Sequence, residues 1–331
     1  MKRSICCTLA AVALVISTAF VGPAEPAKFR VGGHRALVGA WDAVAHSLGY
    51  WKEAGLDYEF LSFKQGVLMR NAVIQGNIDV GNTGFAPFVT AISKGAKMVG
   101  VAVTTNTCEL AGVVVPTGSK IKSVKELKGL TVAGQKGTST DFTIKYYMLP
   151  KYGLKIDDIN WMSVKGPDVT GVIVSGNAQA GYMIDPQAEI AVQKGLLRKV
   201  ENLCAYDKPR LMQIANPMTL KAHPELYEKY FQGWLRAHKL LREKPETFAR
   251  VYVESLKVYG EKAEYAVFLP IVKRLRSEPF ITDEVRSYLN DMGAKQIKLG
   301  WIKAHPDFTK APVFDGSFVR KAAKSLGMAV N

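Results

Sequence analysis

The chain has 331 residues, a formal net charge of +15 at pH 7 and 48% hydrophobic residues. This apolar content is ordinary for a globular protein, and the length exceeds what one compact core usually holds, so we expect two lobes. The basic residues are scattered and form no stripe with interleaved aromatic residues, which argues against a nucleic-acid-binding protein and favours anionic solutes or a membrane surface as partners.

The N-terminal 27 residues have the order of features that is typical of a secretory signal peptide. Two basic residues precede an apolar run over residues 5–21, and a cluster of Gly, Pro and Ala ends it. The run is at the short end for spanning a bilayer of roughly 30 Å, which makes an uncleaved membrane anchor the weaker alternative. We therefore predict cleavage after Ala24 or Ala27 and an exported, soluble mature protein.

Short apolar runs then alternate with amphipathic stretches and Gly-rich turns, which predicts an α/β fold with a largely parallel sheet. In the first unit we predict strands at 29–31, 56–60, 78–80, 98–103 and 111–115, and helices at 36–48 and 67–75. In a second unit, which begins near Ser123, we predict strands at 130–133, 161–164 and 179–183, and helices at 139–152, 169–175 and 187–193. After residue 220 we predict helices at 223–241, 246–257 and 263–275.

An internal repeat is the most informative feature of this organisation. Residues 76–81, Gly-Asn-Ile-Asp-Val-Gly, return one hundred positions later as residues 176–181, Gly-Asn-Ala-Gln-Ala-Gly. Both copies are predicted to run from a helix end through a short strand, and Asn77 or Asn177 suits the left-handed conformation that often ends a helix. The repeat predicts two lobes of similar structure.

The motifs of common enzymes and metal sites are absent from the sequence. It contains no His-Glu-x-x-His, phosphate-binding loop, Gly-x-Gly-x-x-Gly or Gly-x-Ser-x-Gly motif, and its five histidines show no paired metal-ligand spacing. We therefore expect no catalytic residue, no metal and no cofactor. Cys108 and Cys204 remain after signal cleavage, and the sequence leaves open whether they form a disulfide, as an oxidising compartment permits, or stay buried thiols.

Three loops have the composition of ligand cradles, and each follows a predicted strand. In the first, Gly33 lets the backbone approach a solute closely, His34 and Arg35 add hydrogen-bond donors, and Trp41 supplies an apolar wall. A tight turn with a solvated arginine is the alternative for this loop.

The second loop is Asn82-Thr83-Gly84-Phe85, and its candidate ligand-binding residues are the last three, with Thr83 at the expected N-cap of the following helix. Free backbone N–H groups and the helix dipole favour an anion at such a helix start. A cap that serves only its own helix is the alternative, but we predict that all three residues bind the ligand.

The third loop, residues 135–140, is rich in glycine and hydroxyl groups and opens a helix, so it resembles an anion-binding nest, with Gly137, Thr138, Ser139 and Thr140 as its candidate ligand-binding residues. In the second copy of the repeat, Asp185 occupies the equivalent of the second loop and either meets a ligand ammonium group or caps the next helix. Open α/β sheets bind ligands at the carboxyl ends of their strands. We therefore expect a solute to lie between the lobes, touch the loops of both and stabilise their closure.

Four segments resemble the nitrate-, sulfonate- and taurine-binding class of periplasmic solute-binding proteins, which includes relatives that bind thiamine-precursor pyrimidines. They are residues 49–57 (GYWKEAGLD), 75–81 (QGNIDVG), 125–133 (KELKGLTVA) and 222–226 (AHPEL). The resemblance implies a type II periplasmic binding protein fold, in which two α/β lobes are joined by two crossover strands.

The resemblance also suggests where the lobes begin and end. The candidate crossovers are residues 107–113 and 212–218. Residues 28–108 and 216–331 then form lobe one, and residues 109–215 form lobe two.

The function that the resemblance implies is that of a monomeric, non-enzymatic periplasmic receptor, which delivers a small solute to the permease and ATPase subunits of an ABC importer. The pair His34 and Arg35, with Trp41 beside it, suits an organic anion such as a sulfonate or an aromatic or aliphatic carboxylate better than nitrate. A thiamine-precursor pyrimidine, stacked on Trp41 and Phe85 with Asp185 as partner, is one alternative. A ligand-presenting sensor subunit is a second, and an enzyme on the same scaffold, with His34 as its catalytic candidate, is a third.

Overall fold

The computed structural model describes residues 28–330, so the predicted signal peptide at residues 1–27 lies outside the described residues. The strands are β1 Phe29–His34, β2 Tyr58–Phe63, β3 Val80–Gly84, β4 Val99–Asn106, β5 Ala111–Pro116, β6 Thr131–Gly134, β7 Asn160–Ser163, β8 Ala180–Ile184, β9 Leu197–Asn202, β10 Arg210–Ala215 and β11 Arg276–Ser277. The helices are α1 Ala40–Ser47, α2 Tyr50–Glu53, α3 Gly66–Ile74, α4 Phe85–Ser93, α5 Ser139–Thr143, α6 Leu149–Lys151, α7 Val169–Val174, α8 Gln187–Gln193, α9 Pro217–Ala222, α10 Pro224–Glu243, α11 Pro245–Val258, α12 Tyr265–Arg274, α13 Asp283–Lys298 and α14 Ser317–Ser325.

Each predicted strand and helix overlaps an observed one, whereas the predictions contain no counterpart of β9, β10, β11, α2, α9, α13 and α14. A π-helical turn at Ile144–Met148 joins α5 to α6. Within residues 28–330, none of the helices combines the length and the apolar character that crossing a bilayer requires.

The described strands form two sheets with the same internal order. The first sheet runs β2-β1-β3-β10-β4-β11 and the second runs β7-β6-β8-β5-β9. In these directions the first five strands of the first sheet correspond, one by one, to the five strands of the second. In each sheet an antiparallel strand follows the central parallel strands: β10 lies antiparallel to β3 and β4, and β5 lies antiparallel to β8 and β9. The short β11 adds a further antiparallel pairing at the β4 edge of the first sheet. We call the unit built on the first sheet lobe one and the unit built on the second lobe two; their matching order agrees with the two similar lobes that the repeat predicts.

The turn that precedes β3 and β8 differs from the prediction in one respect. The left-handed residues are Gly76, with φ of 74°, and Gly176, with φ of 79°, and no residue other than glycine has a positive φ in the described part of the chain. The prediction that Asn77 and Asn177 take this conformation is therefore wrong. Glycine takes it because the absence of a Cβ atom removes the steric penalty.

The chain crosses between the lobes twice, and a disulfide joins the two crossings. The first crossing follows β4 and lies within the predicted segment 107–113. The second lies between β9 and β10, before the predicted segment 212–218, because Arg210–Ala215 is hydrogen-bonded in the first sheet. Cys108 and Cys204 form the disulfide, which answers the question that the sequence leaves open.

Lobe one is packed on both faces of its sheet. On one face α1, α10 and α11 enclose a core that includes Trp41, Trp51 and Trp234. On the other face α3, α4 and α13 enclose a second core that includes Phe85 and Leu289. These helices hold the carboxyl ends of β1 and β3 toward lobe two.

Candidate functional site: the cleft between the lobes

A cavity of about 370 Å³ lies between the lobes, at the carboxyl ends of β1, β3 and β8. Both lobes line it, as expected for a ligand site in open α/β sheets. Its apolar lining comes mainly from lobe one and includes Leu37, Val38, Pro87, Leu110 and Leu211. The polar side chains on the lining are His34, Lys64, Gln65, Asn82, Thr83, Thr107, Gln135, Thr138, Ser139, Tyr182, Asp185, Gln187 and Arg210.

The repeat brings two equivalent positions to this cavity, Asn82 in the middle of β3 and Tyr182 in the middle of β8. Both side chains are buried, and the Asn82 amide and the Tyr182 hydroxyl have no hydrogen-bond partner among residues 28–330. Neither is among the predicted ligand-binding residues, although Asn82 is the first residue of the second predicted loop. The signal that could have found them is the repeat itself, continued one position beyond Gly81 and Gly181.

His34 lines the cavity as a neutral hydrogen-bond donor. Its Nδ1 atom accepts a hydrogen bond from the backbone N–H of Ala36, at 2.9 Å. Burial lowers the pKa of His34 to about 4, so the ring is uncharged at neutral pH. Because Nδ1 is the acceptor, the single ring proton is assigned to Nε2.

The rest of the first predicted loop does not reach the cavity. Gly33 is buried, and a Cβ atom there would lie 2.1 Å from the Phe60 ring, so this glycine makes room for packing inside lobe one. The Arg35 Nε atom donates to the Ser62 hydroxyl, at 2.8 Å, and its guanidinium lies over the Tyr259 ring. Neither Gly33 nor Arg35 lines this cavity.

The predicted apolar wall of Trp41 is also wrong. The Trp41 side chain has no exposed surface, and it stacks on His238 with ring centroids 4.9 Å apart. The reason is the position of α10, which covers the face of α1 that carries this ring.

The second predicted loop is divided between the cavity and the core. Thr83 and Gly84 line the cavity, but they end β3, and the N-cap of α4 is Gly84 rather than Thr83. Phe85 is fully buried and lies 5.9 Å from the Tyr288 ring in the core of lobe one. A Cβ atom on Gly84 would lie 2.4 Å from the Ser139 Oγ atom of lobe two, so the two lobes touch at this point.

The third loop lines the cavity, but part of it is already occupied by a carboxylate of its own helix. The Gly137 N–H donates to Asp141 Oδ2 at 2.8 Å, and the Asp141 N–H donates to the Thr138 hydroxyl at 3.1 Å. The Ser139 hydroxyl is buried and unpaired within the described part of the chain. The side chain of Thr140 lies outside the described residues.

Asp185 lines the cavity, but its charge is already neutralised. Its carboxylate accepts from Lys199 Nζ at 3.1 Å and from the Arg274 guanidinium at 2.8 Å. It also accepts from the backbone N–H of Glu189, in the first turn of α8, which is the capping alternative. Because Arg274 belongs to α12 of lobe one, the same cluster joins the two lobes.

Arg210 and Lys64 are the charged residues of the cavity that the predictions missed, and of the two only Arg210 is buried. Only 5% of the residue is exposed, and its guanidinium reaches Glu278 at 2.8 Å and Glu284 at 3.3 Å. Both glutamates are considerably more exposed than the arginine. Among residues 28–330, no cluster of three or more His, Cys, Asp or Glu side chains is arranged to hold a metal ion.

Two similar lobes with a polar cavity between them, at the carboxyl ends of their strands, are the architecture of the type II periplasmic binding protein fold. The chain belongs to the NMT1/THI5-like family, whose sequence profile matches residues 40–248.

Individual relatives agree with this assignment. The Escherichia coli K12 protein named "Putative aliphatic sulfonates-binding protein" is 29% identical over 202 residues, which are 61% of this chain and 63% of that protein. The matching segment thus spans less than two thirds of that relative.

Two solved structures have the same fold. The periplasmic aliphatic sulphonate binding protein SsuA from Escherichia coli has a TM-score of 0.75 at 22% identity, with 86% of this chain and 91% of that chain covered. The desulfurization enzyme DSZB has a TM-score of 0.70 at 13% identity, with 90% and 99% covered. At these identities the likeness establishes the fold, which a binding protein and an enzyme share.

Proposed function

We propose that the protein is an exported receptor that captures a small organic anion, an aliphatic sulfonate in the first place, and delivers it to an ABC importer. One observation supports this most strongly: neutral donors from both lobes converge on the cavity together with a buried arginine. They are His34 Nε2, the Ser139 and Tyr182 hydroxyls and Arg210.

The physical argument begins with the unpaired hydroxyls. A buried hydroxyl without a partner costs about 1–3 kcal/mol, and a ligand oxygen that accepts from it removes this cost. Neutral donors also hold an anion without a competing counterion, as preorganised hydrogen bonds do in water-poor sites. Arg210 contributes a guanidinium group whose two glutamate partners are exposed to solvent and therefore balance its charge only weakly, whereas the fully buried Asp185 adds little negative charge because two cations already contact it.

The apolar lining favours a ligand with a short hydrocarbon body rather than a bare inorganic ion. Leu37, Val38 and Leu110 line the same cavity as the donors. An alkyl sulfonate or a small carboxylate matches both parts. A stacked pyrimidine matches less well, because Trp41 and Phe85 are in the core and Asp185 is already paired.

We favour a receptor role over an enzyme role because of the chemistry of the cavity. His34 is held neutral, with Nδ1 engaged by a backbone N–H, and Cys108 is in a disulfide. Export, delivery to a permease and its ATPase, and action as a monomer follow from the signal-like N-terminus and from the family, and they are parts of the same proposal.

The test is a thermal-shift screen of the purified protein against alkyl sulfonates, taurine, nitrate, aromatic and aliphatic carboxylates and pyrimidines. A ligand at one hundred times its dissociation constant stabilises the fold by about 2.7 kcal/mol. We expect the largest shift with an alkyl sulfonate and full recovery of the compound afterwards. A shift with pyrimidines alone, or consumption of the compound, would contradict the proposal.

A matched pair of variants tests whether the cavity is the site. Arg210→Gln removes the buried cation of the cavity, whereas Arg35→Gln removes an arginine that points away from the cavity. We expect Arg210→Gln to weaken sulfonate binding at least tenfold, since a hydrogen bond to a charged group is worth about 1.5–3 kcal/mol, and Arg35→Gln to leave it unchanged. Equal effects of the two variants would place the ligand elsewhere.

A further inference from the structure

A buried carboxyl group, Asp42 of α1, lies behind the cleft and is held by a directed chain of hydrogen bonds. Gln213 Nε2 donates to the Tyr230 hydroxyl at 2.6 Å, and the Tyr230 hydroxyl donates to Asp42 Oδ1 at 2.6 Å. All three side chains are fully buried. Because an amide nitrogen is only a donor, the chain has one direction, and Oδ1 always accepts.

The second oxygen of this carboxyl group, Asp42 Oδ2, is buried and has no hydrogen-bond partner within residues 28–330, and the same holds for both polar atoms of the Asn82 amide. The Asn82 amide is near enough to lower the pKa of Asp42, although no bond of ordinary geometry joins them. The Asn82 backbone is fixed opposite Gln213 in the first sheet. Rotation of the side-chain amide is therefore the main way to exchange its oxygen for its N–H₂ group on the side of the cleft.

The amide has two possible orientations, and each fits one protonation state of Asp42. If Asp42 is ionised, Oδ2 accepts from Asn82 Nδ2, and the amide oxygen is left for the ligand. If Asp42 is protonated, Oδ1 is already engaged, so the proton is on Oδ2 and is donated to the Asn82 oxygen. The Asn82 N–H₂ group is then available to the ligand as a donor.

We propose that Asp42 is a positioning residue for ligand recognition: its protonation turns the Asn82 donor toward the cleft, so that an anion binds together with one proton. This rests on the proposed function, because an anion accepts hydrogen bonds and is repelled by an ionised carboxylate. Binding therefore takes up a proton from solution, and the affinity for an anion falls as the pH rises.

The groups around Asp42 permit this titration near neutral pH. Burial raises the pKa of Asp42 to about 7, and Tyr230 and Asn82 are its side-chain hydrogen-bonding neighbours. His238, which stacks on the adjacent Trp41, stays neutral because burial lowers its pKa well below its ordinary value. No charged group in the described part of the chain shifts the pKa of Asp42.

Other titratable groups of the cleft region do not account for the same behaviour. His34 stays neutral above its pKa of about 4. Asp207 is a second buried carboxyl group whose pKa burial raises, and it interacts electrostatically with Tyr182. Both of its oxygens already accept hydrogen bonds, from Tyr288 and Thr143, so it offers a matched control.

The test is calorimetric titration of the purified protein with ethanesulfonate at pH 6, 7 and 8, in buffers of different ionisation enthalpy. We expect about tenfold weaker binding at pH 8 than at pH 6, and uptake of about one proton per anion at pH 8. Asp42→Asn, whose amide copies the protonated acid, should bind with nearly the same affinity at every pH. Asp207→Asn should keep the pH dependence of the unaltered protein.

The outcomes separate the two proposals. Binding of ethanesulfonate with no pH dependence and no proton uptake would overturn the role of Asp42 and leave the receptor function intact. Absence of binding by any sulfonate or carboxylate at all three pH values would overturn both. If Asp42→Asn does not fold, the unaltered protein and Asp207→Asn are compared instead. Proton uptake in both proteins supports the role of Asp42, whereas loss of proton uptake in Asp207→Asn would assign the proton to Asp207.

Discussion

The contact of Gly84 with Ser139 gives a sharp test of how the two lobes close on a ligand. Gly84 has φ of −63° and ψ of 153°, which alanine adopts freely, so Gly84→Ala should not strain lobe one. The new Cβ atom would lie 2.4 Å from the Ser139 Oγ atom, about 1 Å inside van der Waals contact. The clash exists only when the lobes are together, and it should therefore appear in binding rather than in the stability of the unliganded protein.

The size of the effect depends on how the clash is relieved. If the Ser139 hydroxyl rotates away, the ligand loses one hydrogen bond, worth about 0.5–1.5 kcal/mol. If the lobes separate instead, overpacking of this kind costs about 1–3 kcal/mol. The dissociation constant for a sulfonate should therefore rise by roughly threefold to a hundredfold.

The assay is calorimetric titration of Gly84→Ala, Ser139→Ala and the double variant, together with thermal melting without ligand. We expect the double variant to bind like Ser139→Ala, since the atom that clashes is gone. Gly118→Ala is the control, because its Cβ atom would meet nothing within 4 Å and the residue does not line the cavity. Additive effects of the two single changes, or unaltered binding by Gly84→Ala, would refute the reasoning.

Three further predictions concern stability. Arg274→Gln should lower the free energy of unfolding by about 1–2 kcal/mol, because it removes a lobe-to-lobe partner of a buried carboxylate. Arg276→Gln breaks an exposed ion pair and should lower it by under about 0.5 kcal/mol. Chemical denaturation compares the two variants, and equal losses would contradict the bridging role of Arg274. The disulfide between Cys108 and Cys204 spans a separation of 96 residues, so its replacement by two serines should lower stability by up to about 4.7 kcal/mol; unchanged unfolding in the serine variant would count against this. Asp42 has a raised pKa in the folded state, so the stability that it contributes is full below its unfolded pKa and is lost as the pH rises through about 7. Relative to the unaltered protein, Asp42→Asn should therefore gain stability from pH 4 to pH 7, by about 1.4 kcal/mol per pH unit. Thermal melts check this, and parallel pH profiles of the two proteins would disprove the assignment.

The periodicity of the sequence was sufficient to predict most of the fold. Alternating strands and helices depend on local hydrophobic patterns, and each predicted element overlaps an observed one. The repeat at Gly76 and Gly176 predicted two similar lobes, because the same succession of helix, turn and strand in both halves of the chain favours the same strand order in both sheets. The missed strands β9 and β10 show the limit of this approach: β10 is placed by its partners β3 and β4, which are far from it in the chain.

From the sequence we could predict only those cavity residues whose place depends on the local backbone. Gly84, Ser139 and Asp185 reach the cavity because each lies at or just beyond the carboxyl end of a strand, which is a local property. Trp41 was misplaced because the direction of its ring depends on α10, nearly two hundred positions later in the chain. The neutralisation of Asp185 by Arg274 likewise depends on contact between the two lobes. Local sequence determines where the backbone turns, but burial, pairing and protonation depend on which distant segments meet, and only the tertiary structure decides that.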